Sequence, residues 1–390
     1  MIQRALGTVA VVVTVAAIGT FAFGPGIVED RINRVAPHAP YEPSAAIRAK
    51  HAALVVADLH ADTLLWARDP LDRAGRGHVD LPRLGEGNVA LQVFSVVTQV
   101  PAGLNYEANT GDSDRVALLA ILQRWPVASW NDLFERARVQ AERLHDAERR
   151  APDALRVIES AEDLRRTLAE RRAGSRIVGG LLATEGSHAL RGNVENVKAL
   201  TDAGFRMMGL HHFFDNELGG SLHGVGKGGL TDHGRAVVRE MLDQGVIIDV
   251  AHSSPAVVDE VLAMTRTPLV VSHTGVKGNC DTPRNLEDAQ MRRIADGGGL
   301  IGIGYWEGAV CDTSPAGVVA AIRYAVDLVG ANHVALGSDY DGATHVRFDT
   351  SELAVLTGAM VEAGFSDEEI RKVMGGNAVE FFLARLPRSS

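Results

Sequence analysis

Eight short apolar runs alternate with amphipathic helical stretches along this chain, and that rhythm constrains its fold more than any other feature. The runs are Ala53–Ala57, Val89–Val97, Ile177–Ala183, Arg206–Leu210, Val246–Val250, Leu269–Val271, Leu300–Gly304 and His333–Leu336. Among the segments between them, Val194–Ala203, Leu230–Asp243 and Pro315–Val329 repeat their apolar residues at helical spacing. Thr231-Asp232 gives the second of these a helix-start signal. Parallel strands need crossover connections, so eight strand–helix units predict an α/β chain closed into a (β/α)₈ TIM barrel. The chain is 46% hydrophobic but only 5% aromatic and holds 41 glycines. Its core is therefore built from small and branched aliphatic residues with close backbones, which suits strands buried on both faces.

The rhythm breaks once, at Asn105–Arg172, which is long, charged and helical and reads as an insertion on the barrel between the second and third strands. Upstream of the barrel, Ala5–Phe23 carries no charged residue. A helix of about 17–25 such residues spans a bilayer. The run is long for a signal peptide, and Phe21-Ala22-Phe23-Gly24 makes a poor cleavage site. The expectation is an N-terminal transmembrane helix within residues 1–24, with a cleaved signal and a buried helix as the alternatives. Arg4 favours a cytoplasmic N-terminus, which places the catalytic domain on the periplasmic or extracellular side. Residues 25–50 read as a linker, and 51–386 as the barrel. The net charge of −10 excludes a nucleic-acid partner, which needs a basic face. The two cysteines, Cys280 and Cys311, can pair in an exported domain or stand as separate thiols.

Six of the eight runs deliver a His, Asp or Glu at the C-terminal end: His60 and Asp62, Glu185, His211-His212, His252, His273, and Asp339. A lone polar residue there has an ordinary explanation as a helix cap. Collected at the one mouth where barrel active sites lie, these types form a zinc-like ligand set. His60-x-Asp62 puts two side chains on one strand face, where both reach one metal. His252 and His273, on neighbouring strands, hold a second, and Glu185 lies between the pairs in strand order and bridges them. Two close metals lower the pKa of a shared water and polarise a carbonyl, so the centre suits amide hydrolysis. His212, Asp339 and Arg284 are available as oxyanion donor, proton shuttle and substrate holder.

The order of short motifs resembles the membrane dipeptidase (renal dipeptidase) family of the amidohydrolase superfamily. The similar stretches are Asp58-Leu59-His60-Ala61-Asp62, His78-Val79-Asp80-Leu81-Pro82-Arg83-Leu84, Glu185-Gly186, Gly229-Leu230-Thr231-Asp232-His233-Gly234 and Ile248-Asp249-Val250-Ala251-His252-Ser253. Ser272-His273, Pro283-Arg284-Asn285 and Gly337-Ser338-Asp339-Tyr340-Asp341-Gly342 follow. The resemblance implies two Zn²⁺ ions per subunit and hydrolysis of dipeptides, with a D-residue tolerated at the C-terminal position. It implies that His60 and Asp62 bind one zinc, His252 and His273 the other, and that Glu185 bridges. It also implies that His212 meets the substrate carbonyl, that Arg284 pairs with the dipeptide carboxylate, and that Asp339 moves the proton. Cys280 and Cys311 fall where family members carry a disulfide.

His211 stands where the family usually has threonine, and the loops Phe213–Gly220 and Trp306–Gly308 differ from those of mammalian members. These departures leave the substrate side chain unread. A related metal-dependent amidohydrolase acting on N-acyl amino acids, β-lactams or lactones is the alternative, and an inactive binding protein a remoter one. The glycine-rich stretch Gly219–Gly229 lacks phosphate-loop spacing and reads as an active-site loop. His188, His223 and His233 receive no role, and Asp341 either supports the site or shapes a turn with Gly342. Expected partners are a small dipeptide-like substrate and the membrane through the N-terminal helix, and a homodimer stays open.

Overall fold

The computed structural model describes Gly19 and residues 21–389. Eight parallel strands close a barrel: β1 Val56–Ala61, β2 Val89–Val97, β3 Val178–Glu185, β4 Phe205–Gly209, β5 Ile247–Asp249, β6 Val270–Thr274, β7 Leu300–Ile303 and β8 Val334–Leu336. Neighbours in sequence are neighbours in space, and Leu336 pairs with Asp58 to close the ring. The longest seam runs from Leu91↔Gly179 to Val97↔Glu185, so the end of β2 stands level with the end of β3. Every residue of β2 and β3 is buried, which is why they read as mostly apolar runs, with no alternation of apolar and polar positions.

The helices start where the sequence places their caps. Thr231 Oγ1 accepts from Gly234 N ahead of Asp232–Asp243, and Ser314 does the same for Pro315–Val329 through Gly317 N. Strand β1 runs four residues beyond its expected end. Its polar residues break the apolar pattern, yet Asp58 is satisfied inside by the amides of His60 and Ser338. The insertion carries the helices Arg115–Leu122, Leu133–Arg150 and Ala161–Arg172. It also carries an unforeseen strand, Leu155–Val157, which pairs in parallel with Val178–Gly180 of β3. Three residues with a central arginine are too short a run to announce themselves.

The segment before the barrel departs from the linker reading. Residues 21–32 are helical, and Ala45–Ala52 is a second helix. Between them Arg34–Val35 pairs in parallel with His345–Val346, just beyond β8. Glu29 is buried and binds Arg68 Nε at 2.5 Å and Arg76 Nε at 2.7 Å. Two guanidiniums waiting on the barrel convert what reads as a charged tether into a packed element. Of the expected membrane span, all but Phe21–Phe23 and Gly19 lies outside the described residues. Among the described residues no helix is long and apolar enough to cross a membrane.

Candidate metal centre and active site

Of the strand-end residues singled out in the sequence, His60, Asp62, Glu185, His212, His252, His273 and Asp339 meet at the C-terminal mouth, whereas His211 turns its Nδ1 to Ser253 Oγ at 3.1 Å. Glu185 sits in the middle. Its Oε1 lies 3.6 Å from His60 Nε2, 3.1 Å from His252 Nε2 and 3.3 Å from His273 Nε2, and its Oε2 lies 3.3 Å from His212 Nε2. His60 Nε2 is 3.4 Å from Asp62 Oδ1 and 3.9 Å from Asp339 Oδ1. Three overlapping groups can each hold an ion: His60–Glu185–His273, Glu185–His212–His252 and His60–Asp62–Asp339. As placed, one oxygen of Glu185 faces His60, His252 and His273 together, a tighter convergence than one oxygen for each ligand pair.

The chemistry of this donor set fits divalent cations. His60 Nε2 and Asp62 Oδ1 are buried and lack any hydrogen-bond partner. Burial holds the carboxyls of Asp62 and Glu185 well above their ordinary range, with repulsion from Asp341 adding to the first and from Asp62 to the second. Burial also pushes His212, His252 and His273 well below theirs, with Arg284 beside His252 and His273 acting in the same direction. Neutral imidazoles with free lone pairs, beside carboxyls that need a positive charge, form the ligand type that zinc and similar ions take.

Neighbouring residues orient these ligands. Ser272 Oγ reaches His273 Nδ1 at 2.9 Å and His60 Nδ1 at 3.3 Å, so one hydroxyl steadies two rings. Asp249 accepts from the amides of Ala251 and Ser272, on the approaches to His252 and His273. His252 and Asp339 both hold left-handed backbone, at φ 60° and 58°. Such non-glycine conformations cost about 1–3 kcal/mol each and persist where the surroundings dictate them. Asp341 proves to be a support. Its carboxylate takes His78 N at 2.7 Å, Thr63 Oγ1 at 2.8 Å and the Arg68 guanidinium, which holds it below the usual carboxylate range despite full burial.

Arg284 lies on the other side of the centre. Its Nη2 approaches His252 Nε2 at 3.4 Å and donates to the His273 carbonyl at 3.2 Å, and its guanidinium stands 5.1 Å from the Trp306 ring centroid. Trp306 Nε1 donates to Tyr106 Oη at 2.9 Å, which brings the insertion into the mouth. The sequence gives no signal for Tyr106, since its only mark is one aromatic residue in a polar loop. Cys280 and Cys311 form a disulfide, tying the segment before Arg284 to the one after Trp306. His223 stacks on Phe213 with its ring 5.3 Å from that of His252, whereas His188 packs on Phe214. A cavity of about 350 Å³ opens over Asp62, Glu185, His212, His252, Arg284 and Asp339.

Comparison with known proteins agrees with this architecture. Residues 44–384 match the profile of the membrane dipeptidase family, peptidase family M19. Dipeptidase aclJ of Aspergillus oryzae is 28% identical over 83% of this chain and 76% of its own length. Dipeptidase tcpJ of Claviceps purpurea is 28% identical over 78% of this chain and 68% of its own. The crystal structure of dipeptidase AC, a metallopeptidase of family M19, superposes with a TM-score of 0.72 at 25% identity, covering 86% of this chain and 99% of that one. A metallopeptidase from Rhodobacter sphaeroides, liganded with a phosphinate mimic of the dipeptide L-Ala-D-Ala, shares the fold at a TM-score of 0.70 and 24% identity, covering 85% of this chain and 99% of its own. The chain belongs to the membrane dipeptidase family, peptidase family M19, and is a hydrolase of peptide bonds.

Proposed function

We propose that the protein is a zinc-dependent dipeptidase in which His60 and Asp62 hold one ion, His252 and His273 hold another, and Glu185 reaches both. The observation that carries this reading is the convergence of three imidazole nitrogens on Glu185 Oε1 within 3.6 Å. Bound ions of this kind polarise the scissile carbonyl and make hydroxide accessible near neutral pH.

The chain's own residues supply the rest. Arg284 receives the substrate's free carboxylate on its buried guanidinium, whose hydrogen-bond partners among the described residues are a ring nitrogen and a backbone carbonyl. His212 turns Nδ1 to the Gln99 carbonyl and Nε2 into the mouth, 3.3 Å from Glu185 Oε2, which sets the ring beside the substrate carbonyl. Burial pushes Asp339 up to about 8, partly offset by His60 and Arg284. Standing 3.9 Å from His60 Nε2 at the edge of the centre, this carboxyl takes a proton from the attacking water and returns it to the leaving amine. Tolerance for a D-residue at the carboxyl side rests on family membership. A panel of L-L and L-D dipeptides with added zinc tests the reading, and no turnover of any with metals bound overturns it.

The charge-free Ala5–Phe23 segment supports a membrane anchor with the barrel on the periplasmic or extracellular side. The exposed Phe23 and Ile27 extend that apolar character into the described helix. Recovery of the full chain in the soluble fraction after cell breakage overturns the anchor.

A further inference from the structure

The cavity above the metal centre has two unlike ends. Arg284 follows β6. The apolar end is built from residues that follow β1 and β2, namely Leu65 and Trp66 and then Val116 and Leu119. In a ring of eight strands, β2 stands across from β6. The outer side of the apolar end is closed by Val28 and Ile32, one turn apart on the same face of helical residues 21–32. Ile32 packs on the cluster that contains Leu65, Trp66, Val116 and Leu119. The family match begins at residue 44, so this helix lies outside the matched region.

The wall is fastened to the catalytic loop. Glu29, between Val28 and Ile32, meets Arg68, which in turn meets Asp341, two residues after Asp339. Asn33 Oδ1 accepts from Ala343 N at 2.8 Å, and Arg34 N donates to Thr344 O at 3.2 Å. A segment held at these points has a fixed surface to offer a substrate.

We propose that helical residues 21–32 form the selecting wall of the active site, and that Val28 and Ile32 favour substrates with a large apolar group on the amino side of the scissile bond. This rests on the dipeptidase reading for the direction of the substrate. With the carboxylate at Arg284, the amino-side residue points across the mouth into the apolar end. Filling it with a leucine or phenylalanine side chain removes apolar surface from water on both partners, whereas glycine leaves the end unfilled.

The test measures kcat/KM on zinc-loaded full-length protein for Leu-Ala, Phe-Ala, Gly-Ala and N-octanoyl-alanine. The native protein is expected to prefer Leu-Ala and Phe-Ala over Gly-Ala by about tenfold or more. Ile32→Ser and Val28→Ser are expected to reduce that ratio by about fivefold or more. Ile32→Trp, which fills the end instead of opening it, is expected to shift preference toward Gly-Ala, a gain that a misfolded variant does not give. Equal use of Leu-Ala and Gly-Ala by the native protein, or an unchanged ratio in all three variants, overturns the wall and leaves the dipeptidase reading standing. Hydrolysis of N-octanoyl-alanine alone, weakened by Ile32→Ser, overturns the dipeptidase reading and supports the wall.

Discussion

The Nε2 atoms of His252 and His273 face each other across 2.9 Å, each also within 3.3 Å of the same oxygen of Glu185. Burial keeps both rings neutral, so lone pairs from three groups converge on one point. Removing metal with a chelator is expected to abolish dipeptide hydrolysis and to lower the thermal midpoint, and zinc is expected to restore both. An ion present at a thousand times its dissociation constant stabilises the fold by about 4 kcal/mol. Metal analysis with His252→Ala, showing fewer ions per chain than native protein, checks the assignment; equal occupancy refutes it.

Gly342 lies against the carboxylates of Asp339 and Asp62. A Cβ added there would collide with Asp339 Oδ1 and stand 2.9 Å from Asp62 Oδ2. Gly342→Ala is therefore expected to displace the Asp339 carboxylate and lower kcat by about 10²-fold with little change in KM, the size expected for a lost proton shuttle. Steady-state kinetics on a folded variant decide it, and an unchanged kcat removes Asp339 from the proton path.

Arg284 is expected to read the substrate carboxylate. Arg284→Lys keeps the charge but loses the fork, and a charge-assisted contact of this type is worth about 1.5–3 kcal/mol. The expected loss in kcat/KM for a dipeptide is about 10- to 100-fold, with a much smaller loss for the same dipeptide as its C-terminal amide. Equal losses on both substrates contradict the assignment.

How much of this was legible in the sequence depends on periodicity. Val89–Val97 appears in the structure with the bounds read from the chain, because a strand buried on both faces writes itself as a continuous apolar run. The proposed ligands stand out for the same reason: each lies at the C-terminal end of a run. Asp58 and Asp249 were harder, since their task is to accept backbone amides beside the ligands, and any short polar residue would look the same. Tyr106, Val28 and Ile32 were not legible at all as mouth residues. They reach it through long-range packing of segments outside the eightfold rhythm, and the partners that hold them, Trp306 and Arg68, lie far away in sequence.

His188 is fully buried with both ring nitrogens unpartnered, and burial lowers its pKa to about 3. The folded protein thus keeps this ring neutral, while the unfolded chain protonates it near 6.5. Its contribution is fully present above about pH 7 and is lost as pH falls, by about 1.4 kcal/mol per unit below 6.5. Between pH 7 and pH 5 that is about 2 kcal/mol, and His188→Leu is expected to lose stability less steeply over the interval. Urea unfolding of both proteins at the two pH values checks the difference, and parallel pH profiles contradict it.

The Glu29–Arg68 pair also fixes where the molecule can be cut. The barrel shared with its relatives starts at residue 44, yet the residue that partners Arg68 and Arg76 lies fifteen positions earlier in the chain. A shortened catalytic domain has to begin upstream of Pro25 to stay whole. Trimmed at 44, it keeps every proposed metal ligand but leaves Arg68 only Asp341 and the Val79 carbonyl, and it opens one side of the mouth to water. Such a fragment would retain the hydrolytic chemistry and lose the discrimination, so a substrate survey on it would describe a different enzyme.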